Sequence, residues 1–379
     1  MSLKKTLIKG YIHARRLACR KSKTVLFESF VGASYSDNPR AISEALHKIA
    51  PDADIVWALK SPNKSNAPDY VRKISRADTY RYYKEFANAS VYVTNVELMD
   101  LPKGKNQYYI QTWHGDRAFK KVLWDSDYQE KEVPKEAEKG ACDLAIAGSK
   151  YGVRQYRSAF LYEGEVLEVG TPRNDKLVNP SADEIGGMKK QLGIDEDVRI
   201  LLYAPTLRRK AVSEQVEQEV QEIDLLKTVF ALEEKYGCKW VCFVRAHIAV
   251  SGISGIEYSD KIINVTDVED MADLLMISDM LITDYSSSAG DFALLGRPIV
   301  LFQSDIKQYL ERDRDFYFNM EDSPYYIAEN QQELENIICK LNEEDVKENC
   351  KAILDFYETN ETGKAAETIA EIIKDKLKM

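Results

Sequence analysis

Short apolar runs alternate with stretches whose apolar residues recur at helical spacing. TVLFESF (24–30), DIVWAL (54–59), ASVYVTN (89–95), QYYIQTW (107–113) and DLAIAGS (143–149) have the length and β-branched or aromatic content of buried strands. Between the first two, DNPRAISEALHKIA (37–50) predicts a helix, with Asn38 as its cap and Pro39 in its first turn. A second series follows: RILLYAPT (199–206), KWVCFVRAH (239–247), KIINVT (261–266), DMLITDYSS (279–287) and RPIVLF (297–302). The polar, glycine-containing stretch from about 170 to 198, with NPSADEIGG, separates the two series. Such alternation predicts an α/β protein with parallel sheets. The simplest architecture is two Rossmann-like domains facing an interdomain cleft, over residues 24–170 and 171–360. Amphipathic helices over 331–355 and 362–378 close the chain, and the segment 361–379 is expected to pack across the domains.

Composition narrows the class. A chain of 379 residues exceeds one ordinary core, in keeping with two domains. No stretch approaches the roughly 18 apolar residues of a membrane span, and no secretory signal is visible, so the sequence predicts a cytosolic location. The six cysteines show no paired CxxC spacing, which suggests neither a zinc site nor a disulfide framework. Of the 52 Lys and Arg, eight lie in residues 1–23, so the body sets 44 against 62 Asp and Glu, a net −18. In that basic tail Leu3, Leu7, Ile8, Tyr11 and Ile12 recur at helical spacing. The tail is either a helix lying on an anionic membrane surface or a terminal helix packed on its own domain. The acidic body argues against a nucleic-acid partner.

Ligands of open parallel sheets sit at the carboxyl ends of the strands, and four such ends carry chemistry. His114, Gly115 and Asp116 follow QTW; Thr206, Leu207, Arg208, Arg209 and Lys210 follow LLYAP; Arg245 and His247 lie at the end of VCFV; Asp284, Tyr285, Ser286, Ser287 and Ser288 follow MLIT. The serine run reads as strand, hydroxyl-rich turn and helix, so Ser286 or Ser287 would cap a helix whose N–H groups suit a diphosphate, or would be a structural cap alone. Asp284 and Asp291 either orient hydroxyls and substrate alcohols or serve the helix terminus. Arg173, in GTPRND, either joins a phosphate site or fixes the linker through Asp175. His13 and His47 are poor catalytic candidates, and DSD at 125–127 is a weak metal signal.

SFVGASYSDNPRAISEAL, QTWHGDRAFKK, VGTPRND, LYAPTLR and ITDYSSSAGDFALLGRPIVLF, in this order and spacing, resemble the CDP-glycerol glycerophosphotransferases of teichoic acid synthesis, the TagB/TagF type. The resemblance runs from about residue 24 to near the end. It implies the GT-B architecture and transfer of glycerol phosphate from CDP-glycerol to an acceptor hydroxyl, with release of CMP. It also implies that His114 is the catalytic base, that Thr206, Arg208, Asp284, Ser286 and Ser287 line the donor site, and that His247 contacts donor phosphate. Arg245 and Ser288 are grouped with the donor site, and Gly115, Asp116, Arg173 and Asp291 with the acceptor or accessory set. RAHI lacks the prolines usual around the second histidine, and DFYFNMEDSPYYIA departs from the family's later motif at Asp315 and SPYYIA. A histidine, fixed cations and helix N–H groups meet the needs of alcohol attack on a diphosphate, so neither cofactor nor metal need be invoked.

The resemblance implies a CDP-glycerol or CDP-ribitol donor and, as acceptor, a lipid-linked saccharide or a polymer. The expected place is the cytoplasmic face of the cell membrane, as a peripheral protein. The short chain resembles the family's priming members more than its polymerases. A GT-B glycosyltransferase using a nucleotide sugar and a non-catalytic wall-polymer binding protein are the alternatives.

Overall fold

Two parallel sheets organise the chain in a computed structural model that describes residues 3–18, 22–96, 103–126, 142–206, 218–219, 222–246, 253–312 and 315–378. The chain divides into two units. The first comprises Met1–Asp116, Leu123–Asp175 and Asn360–Met379; the second comprises Arg117–Val122 and Lys176–Thr359.

The first unit holds α1 (Leu3–Ala18), β1 (Thr24–Glu28), α2 (Asp37–Ile49), β2 (Asp54–Leu59), β3 (Arg72–Ser75), α3 (Thr79–Asn88), β4 (Val91–Thr94), β5 (Tyr108–Gln111), β6 (Leu144–Ala147), α4 (Lys150–Ser158) and β7 (Glu165–Glu168). Its strands lie in the order β3-β2-β1-β4-β5-β6-β7, every pair parallel. Side-chain alternation along β1 explains the layers. Val25 and Phe27 enter a core with Ile42 of α2 and with Ile369 and Ile373 of the helix Ala365–Leu377, while Leu26 points into a second core with Ile12, Tyr82 and Phe86.

Helix α1 therefore packs on its own unit. Ile12 is fully buried, Ile8 packs beside it, and Arg16 Nη2 donates to Gln107 Oε1 at 2.8 Å. Burial of Ile12 alone stabilises this docking by about 1.5–3 kcal/mol. Leu7, on the same helix, is 65% exposed. No described helix is long and apolar enough to cross a membrane.

Residues after 359 complete the first unit. Asn360 N donates to Gly148 O at 2.8 Å, and the Glu361 carboxylate accepts from Thr171 N at 2.7 Å and Asn174 Nδ2 at 3.0 Å. Asp175 accepts from Ala365 N and Ala366 N, closing the first turn of the last helix.

The second unit holds β8 (Arg199–Tyr203), β9 (Gln218–Glu219), β10 (Trp240–Val244), β11 (Ile253–Ser254), β12 (Ile262–Asn264), β13 (Met280–Thr283), β14 (Ile299–Phe302) and β15 (Tyr326–Ala328). Six of these form a parallel sheet in the order β12-β10-β8-β13-β14-β15, and β9 pairs with β11. Without the β9/β11 pair, the chain order across this sheet is 3-2-1-4-5-6, the order of doubly wound nucleotide-binding sheets, and the first unit has the same order with one strand added. The switch points fall between β1 and β4 and between β8 and β13.

Candidate functional site

In the first unit the site is built where β1, β4 and β5 end. Gln111, last in β5, accepts from Trp113 N through its side chain at 2.9 Å, and its amide donates to Val96 O at 2.8 Å. Trp113 takes φ +50°, a left-handed conformation that is strained for a bulky residue. Its carbonyl accepts from Asn38 Nδ2 at 2.9 Å. With both backbone groups of Trp113 tied to buried side chains, the turn that presents His114 is held in one shape.

Asn38 was expected to cap α2. Ser36 holds that position instead, and Asn38 lies inside the first turn, where its amide binds the His114 turn and its Oδ1 accepts from Arg173 N at 3.0 Å.

His114 Nδ1 lies 2.7 Å from the carbonyl oxygen of Asn95, just past β4. A carbonyl has no proton to give, so Nδ1 carries the hydrogen and the lone pair of the neutral ring is on Nε2. Phe30 meets the ring edge-on at 5.2 Å between centroids, and Trp113 lies at 4.2 Å. Asn95 joins these parts. Its Oδ1 accepts from Phe30 N at 2.9 Å, and its Nδ2 donates to Asp37 Oδ1 at 3.0 Å and Ser29 Oγ at 3.1 Å. Asp37 also pairs with Arg173 at 3.4 Å, both side chains nearly buried. Burial pushes the Asp37 carboxyl up, and Arg173, the Asn95 amide, the Asn38 N–H and His114 pull it back.

Gly115 and Asp116 complete the turn. Asp116 accepts from Gly148 N at 3.0 Å and from Ser149 Oγ at 2.7 Å, and Ser149 in turn caps α4 by accepting from Gly152 N at 2.9 Å. A Cβ at position 152 would collide with the Asp116 carboxylate, so glycine there lets the turn settle on the helix start. With its NH₂ turned toward them, Gln155 donates to the Gly115 and Asp116 carbonyls at 3.2 and 3.3 Å. A pocket of ≈ 270 Å³, counted to its solvent mouth, is lined by Trp113, His114, Gly115, Tyr156, Thr171 and Arg173 among others. Arg173 thus faces Asp37, while Asp175 holds the last helix.

The second unit carries the serine run and the remaining candidates. Asp284, fully buried just past β13, accepts from Thr206 N at 2.8 Å and Tyr285 N at 2.6 Å. Ser287 occupies the N-cap position of the short helix Ser288–Phe292 without a side-chain cap bond. Ser286 Oγ instead accepts from Ser288 N at 3.3 Å and lies 2.9 Å from Ser288 Oγ. Both Ser286 and Ser287 are half-buried. Arg245 is half-buried and donates to the carbonyls of Val268 and Glu269 at 3.2 and 3.3 Å. Arg208 and His247 lie outside the described residues, as do Leu207, Arg209, Lys210 and Asp127. Asp125, at the other end of the DSD triplet, accepts from Ser158 Oγ at 2.6 Å.

Asp291 binds a residue the motif reading passed over. Arg117, fully buried, donates to Asp291 Oδ1 at 2.7 Å, and a Cβ on Gly290 would come within 2.9 Å of the Arg117 side chain. The segment 117–122 is fixed further by Lys121 N to Asp315 O at 2.8 Å and Tyr317 N to Phe119 O at 2.8 Å. Asp315, where the sequence departs from the family motif, thus contributes its carbonyl.

Known proteins of the same kind match along nearly the whole chain. The teichoic acid poly(glycerol phosphate) polymerase of Staphylococcus epidermidis is 32% identical over 94% of this chain, which spans about half (51%) of that protein's length. The protein of the same description from Bacillus spizizenii is 31% identical over 93% of this chain and 92% of its own length. Chain length therefore does not separate priming members from polymerases. Among solved structures, that of the wall teichoic acid polymerase TagF superposes with a TM-score of 0.84 at 31% identity, covering 99% of this chain and 94% of that one. A histidine-to-asparagine variant of TagF soaked with CDP-glycerol matches with a TM-score of 0.81 at 29% identity, over 100% of this chain and 99% of that one. The model of the CDP-glycerol:poly(glycerophosphate) glycerophosphotransferase family matches residues 11–375, and the chain belongs to that family.

Proposed function

We propose that the protein transfers glycerol phosphate from CDP-glycerol to an acceptor hydroxyl in the synthesis of teichoic acid or a related wall polymer. The observation that carries this reading is the bond between His114 Nδ1 and the Asn95 carbonyl, which makes Nε2 the basic nitrogen. Nε2 takes the proton of the acceptor hydroxyl, whose oxygen attacks the β-phosphorus of CDP-glycerol. The bond from that phosphorus to the bridging oxygen breaks, and CMP leaves with the electron pair.

We assign the acceptor side to the first unit, the donor side to the second, and the pair of units to the GT-B class. The half-buried Ser286 and Ser287, with Ser288, Thr206 and Arg245, are the described groups that would hold the diphosphate. Arg208 and His247 complete that set by the family resemblance. Asp284 and Asp291 support it through the bonds they make to Thr206 N and Arg117.

Incubation with CDP-glycerol and a lipid-linked saccharide acceptor, followed by product mass and CMP release, tests the reaction. An added glycerol phosphate supports it; an added sugar from a nucleotide sugar, or no CMP with any acceptor, overturns it. CDP-ribitol in parallel separates the two polyols. His114→Asn is expected to lower turnover by about 10²- to 10⁴-fold with donor affinity little changed.

We assign the protein to the cytoplasmic face of the membrane as a peripheral protein. The basic first helix and the exposed Leu7 support this. Sedimentation with anionic vesicles that is lost in high salt is the expected result; equal binding to neutral vesicles counts against it.

A further inference from the structure

We propose that Asp37 is the charge partner of His114: held by Asn95 and Arg173, it stabilises the imidazolium that forms when His114 takes the acceptor's proton. This rests on the reading of His114 as the base. The geometry runs through one residue, since Asn95 offers its main-chain carbonyl to His114 Nδ1 and its side-chain amide to Asp37 Oδ1. Asp37 is thereby fixed one residue beyond the histidine's own partner, inside a buried site where charges act over longer range than in water.

Asp37 is set in place at a cost. It takes φ +64°, a conformation disfavoured for all side chains and least so for Asp and Asn. A buried carboxylate in strained backbone is retained only where its surroundings over-determine it, and here Asn95, Arg173 and the start of α2 do so. Burial raises the Asp37 carboxyl, Arg173 and the Asn95 amide oppose that rise, and as a carboxylate Asp37 favours a proton on the ring. The other titratable or charged groups lining the pocket are Asp116, which accepts from Gly148 N and Ser149 Oγ, and Tyr156 of α4. Asp37 is therefore a positioning residue that acts through electrostatics and orientation.

The chain has only four histidines, so their imidazole signals are separable by NMR in the full-length protein, with His114→Asn identifying the one at 114. Asp37→Asn suits the left-handed backbone and keeps an acceptor for Asn95, but removes the charge. We expect the His114 titration midpoint to fall by about one pH unit. The acid limb of the turnover profile should shift with it, turnover should fall about tenfold, and the KM for CDP-glycerol should hold. A merely structural disturbance would lower turnover without moving the midpoint and the acid limb together. An unshifted midpoint in Asp37→Asn would overturn the proposal. If His114→Asn retains wild-type turnover, the base assignment itself fails, whatever the midpoints do. An inactive His114→Asn beside an unshifted Asp37→Asn removes the charge partner alone.

Discussion

The two sheets solve the same problem at their switch points with different side chains. In the first unit the residue after β4, Asn95, reaches Phe30 N beyond β1; in the second the residue after β13, Asp284, reaches Thr206 N beyond β8. An amide both accepts and donates, so Asn95 passes order onward to Asp37 and Ser29 and leaves its main-chain carbonyl for His114. A carboxylate oxygen accepts, and Asp284 takes the N–H groups of Thr206 and Tyr285. The backbone differs in the same sense. Phe30, Val31, Asp37 and Trp113 all have positive φ, whereas the only described non-glycine residue of the second unit with positive φ is Glu358. On the role proposed for His114 a base must aim one nitrogen, and strain of about 1–3 kcal/mol at each such residue of the first unit fits that demand. The donor role proposed for the second unit rests on N–H groups and hydroxyls, which bind an anion without such aim.

On this view the second unit should answer mutation in stability and the first in turnover. The largest stability effect is expected from Arg117→Met, which leaves Asp291 buried without its cation and should cost about 3–5 kcal/mol in chemical denaturation. Arg117→Met with Asp291→Leu should recover most of that loss. Next comes Asn95→Leu, at about 2–3 kcal/mol, because Phe30 N and the Asp37 carboxylate lose buried partners. Its turnover should fall about a hundredfold, and a loss no greater than that of Arg117→Met would break the comparison. Asp284→Asn keeps an oxygen for Thr206 N and should cost about 1 kcal/mol. If CDP-glycerol affinity collapses while stability holds, Asp284 binds the donor directly. The smallest effect belongs to Ser287→Ala, expected within about 0.5 kcal/mol because no side-chain cap bond is lost. Any large fall in its donor affinity then belongs to binding.

The strands that hydrophobic pattern missed are instructive. RKIS at β3, EVLE at β7 and YIA at β15 all lie at sheet edges, where one side of the strand is unpaired and charged residues are tolerated. The inner strands were legible because parallel strands buried on both faces read as continuous apolar runs. The turn carrying His114 was legible as chemistry at a strand end. Its supports were not: Asn95 ended an apolar run already read as a strand, and its partners Phe30, Asp37 and His114 lie far from it in sequence. Asn38 looked like a cap because cap residues and first-turn residues have the same composition. Arg117 shares its stretch with Lys120 and Lys121, and only burial beside Asp291 sets it apart.

The route of the chain has a consequence for synthesis. The first unit draws its core residues Ile369 and Ile373 and the Glu361 carboxylate from residues 360–379, translated long after the rest of that unit. At about 5–20 residues per second, roughly 10–40 s separate translation of Asp175 from that of this last segment. Through that interval the sheet that presents His114 has an uncovered apolar face, while the stretch from Lys176 to Thr359 emerges as one continuous piece. The nascent first unit is thus the more aggregation-prone species, and the order of emergence places completion of the unit that carries His114 after that of the unit that carries the serine run.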